Sequence, residues 1–158
     1  MTTRFRAPWG RELTALTAIS TGMIVMAVTF VWSQGARLTP VLMLGILAVP
    51  LALTVRGYEL APGELRIRRL WWDTRWPLDG AITAAVRPDV MARSWRLWGN
   101  GGMFAVSGRF SNAALGRYRA FVTDFKRTVV IETPRGIVVV SPEHPEQFVA
   151  AIERVTRR

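Results

Sequence analysis

The residues of this chain with the most chemistry to offer are arginines. Arg66, Arg68 and Arg69, with Arg75 just beyond Trp72-Asp73, form its densest basic cluster, and in an extended segment Arg66 and Arg68 share one face. Together they suit the phosphates of anionic lipid headgroups or the surface of a partner protein. A solvated strand face that discourages edge pairing is the competing reading, and both stay open. Gly99-Asn100-Gly101-Gly102 has the composition of a backbone N–H nest for phosphate. No Lys-Ser/Thr follows it and no helix starts there, so a turn requiring positive φ is the stronger reading for Gly99, Gly101 and Gly102.

Catalytic groups are scarce. His144 is the single histidine and stands in Pro142-Glu143-His144-Pro145, where it suits the start of a helix better than the work of a base. Asp73, Asp79, Asp89 and Asp124 are separated by turn residues and form no paired motif. No G-x-S-x-G, H-E-x-x-H or G-K-[ST] occurs, and the lack of cysteine removes thiolate zinc sites and thiol nucleophiles. The expectation is a protein that is not an enzyme and needs no metal or cofactor.

The net charge is +10, from 21 Lys+Arg against 11 Asp+Glu in 158 residues. Nucleic acid rewards such an excess through counterion release, and so does an anionic membrane, by about 1 kcal/mol per juxtamembrane Lys or Arg. With neither a recognition helix nor an aromatic ladder in the sequence, no nucleic acid is expected. Arg93, Arg96, Arg109, Arg117 and Arg119 spread charge over the middle of the chain and are read as mostly solvated.

The elements that must carry these residues fall into two parts. Leu13 to Ala36 contains no charged residue, and after Arg37 a second uncharged run of 18 residues, Leu38 to Val55, reaches about 27 Å as a helix. These runs predict a two-helix transmembrane hairpin with spans at 13–34 and 38–55, making residues 1–56 a membrane anchor. Ser33-Gln34-Gly35-Ala36-Arg37 is the turn, Thr39-Pro40 an N-cap followed by proline at the first helical position, and Pro50 a kink near the inner end. Trp9, Trp32 and Tyr58 fall near the expected interfaces. Arginines 4, 6 and 11 before the first run and 56, 66, 68 and 69 after the second outweigh Arg37 in the turn, so both termini are expected on the cytoplasmic side of the plasma (inner) membrane. The first run exceeds an ordinary signal-peptide core and has no clear A-x-A site before Arg37.

At Gly57 the pattern changes to short alternating segments with turn residues between them, so residues 57–158 are expected to form a mainly β domain. Strands are predicted at Tyr58 to Ala61, Leu65 to Trp71, Thr74 to Leu78, Ile82 to Val86, Met103 to Val106, Arg119 to Thr123, Thr128 to Glu132 and Ile137 to Val140. Thr133-Pro134-Arg135-Gly136 is the best hairpin turn. From Pro145 to Val155 the period is helical, with Phe148, Ile152 and Val155 on one face. Trp71, Trp72, Trp76, Trp95 and Trp98 crowd the early part of the domain; some are expected in the core, and one of the adjacent pair Trp71 and Trp72 facing out.

A bent sheet of about seven strands closed by a C-terminal helix is the plan of pleckstrin-homology-like (PH-like) domains. The segments Arg96 to Phe104, Gly108 to Asn112, Leu115 to Asp124 and Ser141-Pro142-Glu143 with Phe148 resemble the membrane-associated bacterial PH-domain families, over roughly Gly57 to Val155. That resemblance implies a PH-like sheet or barrel with a capping helix, in a non-enzymatic, membrane-proximal role. The expected function is a membrane-anchored adaptor or binding module at the cytoplasmic face, meeting a protein partner or anionic headgroups. The alternative is a small structural subunit of a membrane transport or envelope complex.

Overall fold

Thr3–Arg6 (β1) leads into two apolar helices, Arg11–Ser33 (α1) and Leu38–Ala52 (α2), in the computed structural model, which describes residues 2–35, 38–80 and 82–156. Alternation of apolar and charged residues then produces strands. Gly57–Ala61 (β2), Glu64–Arg68 (β3) and Asp73–Pro77 (β4) join β1 in an antiparallel sheet of order β1-β2-β3-β4. Thr83–Val86 (β5), Trp95–Gly101 (β6), Val106–Asn112 (β7), Gly116–Val122 (β8), Val129–Thr133 (β9) and Gly136–Val140 (β10) form a second sheet of order β5-β9-β10-β8-β7-β6. Its neighbours are antiparallel except β8 and β10, which run parallel. Helix Pro145–Thr156 (α3) ends the described chain. Mainly β structure with a C-terminal helix is consistent with the PH-like plan.

The described residues hold ten strands rather than about seven, and two of the additions are informative. β1 lies ahead of the helices, where the sequence reads only as a basic flank. It becomes a strand because β2 offers it a free edge, with Arg6 opposite Gly57 and Phe5 opposite Tyr58. β6 occupies part of the segment read as a glycine turn, while Met103 to Phe104 is loop and the following strand starts at Val106. Glycine disfavours strands in isolation, but here Gly99 and Gly108 face each other across β6 and β7. A Cβ on Gly99 would strike the Ser107 carbonyl, and one on Gly108 the Trp98 carbonyl. The hairpin, irregular in register between Arg96 and Trp98, therefore closes only with glycine at both positions.

The main core lies between the sheets and under α3. Leu60, Leu65 and Ile67 of the first sheet meet Ile131, Val138 and Val140 of the second, and Phe148 and Ile152 of α3 seal the end. A second cluster, with Met91, Phe110, Tyr118 and Val139, covers the other face of the second sheet. Tyr58 ties the layers together. Its hydroxyl donates to the Phe121 carbonyl at 2.6 Å and accepts from the Ser141 amide at 3.1 Å. The Ser141 hydroxyl in turn accepts from the Thr123 amide at 2.8 Å.

α1 is the one helix among the described residues long and apolar enough to cross a membrane. Its 23 residues measure about 34 Å, against about 22 Å for the 15 of α2. The two helices pack against each other. α2 starts at Leu38, so Thr39 and Pro40 lie in its first turn rather than at its cap and first position, and it ends two residues after Pro50. Ala36 and Arg37 of the expected turn lie outside the described residues. The foot of α1 is fastened to the β layers: the Gly10 amide donates to the Thr123 carbonyl at 2.8 Å, Leu13 is buried, and the Phe104 amide donates to the Thr17 hydroxyl at 3.0 Å.

Burial pushes the Tyr58 phenol up to about 12 from its ordinary 10.0, so the folded state favours the neutral form. Its contribution to stability is complete below the unfolded value near 10 and is lost as pH rises through about 12. Denaturant titrations are expected to show falling stability across that window. Y58F should lower stability by about 1–3 kcal/mol at neutral pH, because it leaves the Ser141 amide and Phe121 carbonyl unmatched. It should also flatten the alkaline slope, leaving the smaller part due to Tyr118, whose phenol burial also raises.

Candidate functional site

Strand alternation decides which arginines of the expected cluster meet. In β3, Leu65 and Ile67 point into the core, which turns Glu64, Arg66 and Arg68 outward. Register then builds rows of charge across the first sheet: Arg4, Glu59, Arg66 and Arg75 in one, and Arg6, Gly57, Arg68 and Asp73 in the next. Arg66, Arg68 and Arg75 are thus together on one outer face, with Arg4 and Arg6 added by β1. Part of that charge is neutralised, since Arg4 Nε meets Glu59 Oε2 at 2.9 Å and Arg66 pairs with Glu64. Glu59, held beneath these arginines, is almost fully buried.

Arg69 has a different position. The strand ends at Arg68, and Arg69 turns toward the second sheet and the foot of α2. Its Nε donates to the Thr74 hydroxyl at 2.8 Å, one terminal nitrogen to the Leu53 carbonyl at 2.9 Å and the other to the Ser107 hydroxyl at 3.0 Å. The guanidinium carbon also lies 5.1 Å from the centre of the Phe121 ring, within cation–π reach. Burial lowers its pKa from the ordinary value. This one side chain joins the end of α2, the first sheet and the second.

The glycines also divide. Gly99 and Gly101 lie in β6, with Gly99 at φ 114°, and Gly102 opens the loop at φ 141°. The Asn100 side chain fills that loop by donating to the Met103 carbonyl and accepting from the Met103 amide at 3.3 Å. Of the five tryptophans in the β domain only Trp76 is buried; Trp71, Trp72, Trp95 and Trp98 are all exposed, so both members of the adjacent pair face out. They are exposed because Trp71 and Trp72 occupy the turn between β3 and β4, and β6 is an edge strand. The His144 carbonyl accepts from the Phe148 amide at 3.0 Å in the first turn of α3. Among the described residues no group of three His, Asp or Glu could hold a metal ion.

A second basic arrangement was not legible in the sequence. Arg109 in β7 and Arg119 in β8 are directly opposite in register, with Trp98 of β6 beside Arg109. They lie on the face of the second sheet turned toward the first, beyond the end of its cover, where a groove of about 530 Å³ runs past Arg69, Ser107 and Leu53. An adjoining hollow of about 460 Å³ shares Trp98, Arg109 and Arg119 and adds Arg117 and Trp76. The Arg119 guanidinium carbon is 5.6 Å from the Trp76 ring centre. Neither lining includes a carboxylate.

Two sheets and a C-terminal helix are consistent with a PH-like fold. The Bacterial PH domain family model matches residues 56–156, and the chain belongs to that family. PH domains are generally non-catalytic binding modules, and no enzyme family is indicated. Comparison with curated proteins and with solved structures gives no match.

The contrast between the arginines can be measured by equilibrium unfolding. R69Q is expected to cost about 2–3 kcal/mol through its lost charge-assisted hydrogen bonds, whereas R68Q and R75Q should each stay within about 0.5 kcal/mol of wild type. G108A is expected to cost at least about 3 kcal/mol because the clash is with main chain. G101A should cost less, since its added methyl meets the flexible end of Arg96.

Proposed function

We propose that this protein is a membrane-anchored binding module in which α1 and α2 form a two-span hairpin and the PH domain is held at the cytoplasmic face to receive a protein partner or anionic headgroups. The observation that carries this reading is the pairing of β1 with β2. The residues just before α1 and just after α2 are hydrogen-bonded neighbours, Arg6 opposite Gly57, so the intervening helices leave and rejoin the domain at one edge. Such a segment crosses a bilayer twice or not at all.

Exposure favours crossing. Ile19, Met23, Met26 and Phe30 of α1 and Val41, Leu42 and Val49 of α2 are all exposed, an apolar surface that water penalises heavily. Beyond Thr17, where α1 leaves the β layers, the 16 residues to Ser33 span about 24 Å, close to the 22 Å of α2. Arms of equal length suit two sides of one hairpin, with local thinning of the bilayer making up the remaining few ångströms. Arg4, Arg6, Arg11, Arg56 and Arg68 surround the base of the hairpin, the end that positive charge keeps in the cytoplasm. A cleaved leader fits this arrangement poorly, because β1 would be lost from the sheet with it.

Membrane fractions washed with alkaline carbonate are expected to retain the full chain, and a reporter fused after Arg158 should be active only inside the cell. Release by carbonate, or reporter activity on the outer side, would overturn the proposal.

A further inference from the structure

We infer that the groove between the two sheets, walled by Arg69, Arg109 and Arg119, is a binding site for a phosphate-bearing anion. This deepens the proposed function, on which it rests only for the source of the phosphate. The outer face of the first sheet, which the sequence singles out, carries Glu59, Glu64 and Asp73 among its arginines and is partly self-neutralised. The groove has no such compensation.

Arg109 and Arg119 are direct cross-strand neighbours, an arrangement of like charges that destabilises a sheet. Arg117 lies two residues along the same face of β8, and Arg69 reaches across from the end of β3 to Ser107, two residues from Arg109 in β7. Among the described residues Arg69, Arg109, Arg117 and Arg119 have no ion pair. Two neighbouring strands and the Arg69 clamp thus hold several positive charges around one concave surface whose lining includes nothing acidic to offset them. A bound phosphate removes that repulsion and accepts the guanidinium N–H groups in pairs.

The walls add definition. The three hydrogen bonds of Arg69 fix its guanidinium in place, so its charge is preorganised rather than swinging in solvent. Arg119 is steadied over Trp76, and the exposed Trp98 forms an apolar lip. Leu53, the first residue after α2, lines the same groove. In the anchored arrangement that mouth lies at headgroup height, which favours an anionic lipid as the source over a free phosphate compound.

The test uses the full chain in phosphatidylcholine nanodiscs, titrated with inorganic phosphate, and in nanodiscs containing phosphatidylglycerol, with the thermal unfolding midpoint as readout. Binding to the folded state raises that midpoint. The expected result is a rise with phosphatidylglycerol, at least tenfold weaker in apparent affinity for R109Q/R119Q and unchanged for R66Q/R75Q. A rise with inorganic phosphate in phosphatidylcholine discs, lost in the same variant, supports the site with a soluble ligand instead. If R109Q/R119Q does not fold, R119Q alone should weaken the response severalfold. No response of wild type to either probe, or a response that survives the groove substitutions, overturns the inference. Carbonate extraction of the cell membranes from which the chain is purified separates the two claims: a chain that stays in the membrane but ignores both probes retains its anchor and loses its site.

Discussion

The antiparallel pairing of β1 with β2 is the contact on which the rest of the arrangement depends. It joins residues some fifty positions apart in sequence and closes the base of the helical segment, with Glu59 of β2 held beneath Arg4. Gly57 is part of this closure: a Cβ there would come within 2.7 Å of the Phe5 carbonyl, so the strand after α2 can lie against the strand before α1 only without a side chain. Because both ends of the helices are held at one sheet edge, α1 and α2 must extend from the domain together and return to it. Phe5 carries the same constraint inward, packing edge-on against Phe148 of α3 at 5.0 Å.

One residue type serves three physical roles in the domain. Arg4 and Arg66 are paired with acids on an outer sheet face, Arg4 with the almost fully buried Glu59 and Arg66 with Glu64. Arg69 is a structural clamp whose three nitrogens are spent on Thr74, Leu53 and Ser107. Arg109 and Arg119 are set opposite one another in an open groove without a neutralising acid. The difference follows from strand direction and register: an outward position across from glutamate is self-balanced, while an inward position beyond the cover of the other sheet is not.

The Arg69 clamp also couples the helical segment to the β layers. It accounts for the close approach of the end of α2 to β7, since the Leu53 carbonyl and the Ser107 hydroxyl are held by the two ends of one guanidinium. Just ahead of β7, Thr17 of α1 accepts from the Phe104 amide in the loop after β6. Each helix is therefore fastened at its base to the second sheet, and the domain is fixed to the helices by more than the covalent chain.

Local pattern was enough to reveal the apolar helices, the strands from β2 to β5 and from β8 to β10, and the α3 face with Phe148 and Ile152, because periodicity and continuous hydrophobicity are properties of neighbouring residues; the family came instead from the resemblance of particular segments such as Arg96 to Phe104. The shared outer face of Arg66 and Arg68 was legible for the same reason: residues two apart in a strand must point the same way. Tertiary structure alone decided that Thr3–Arg6 is a strand, since its partner lies beyond the helices, and that Gly99 belongs to β6, since its reason is the main chain of Ser107 and Gly108 across the hairpin. It alone turned Arg69 inward and brought Arg109 opposite Arg119, because contacts between strands depend on register, and register is set by which side chains the two sheets bury between them.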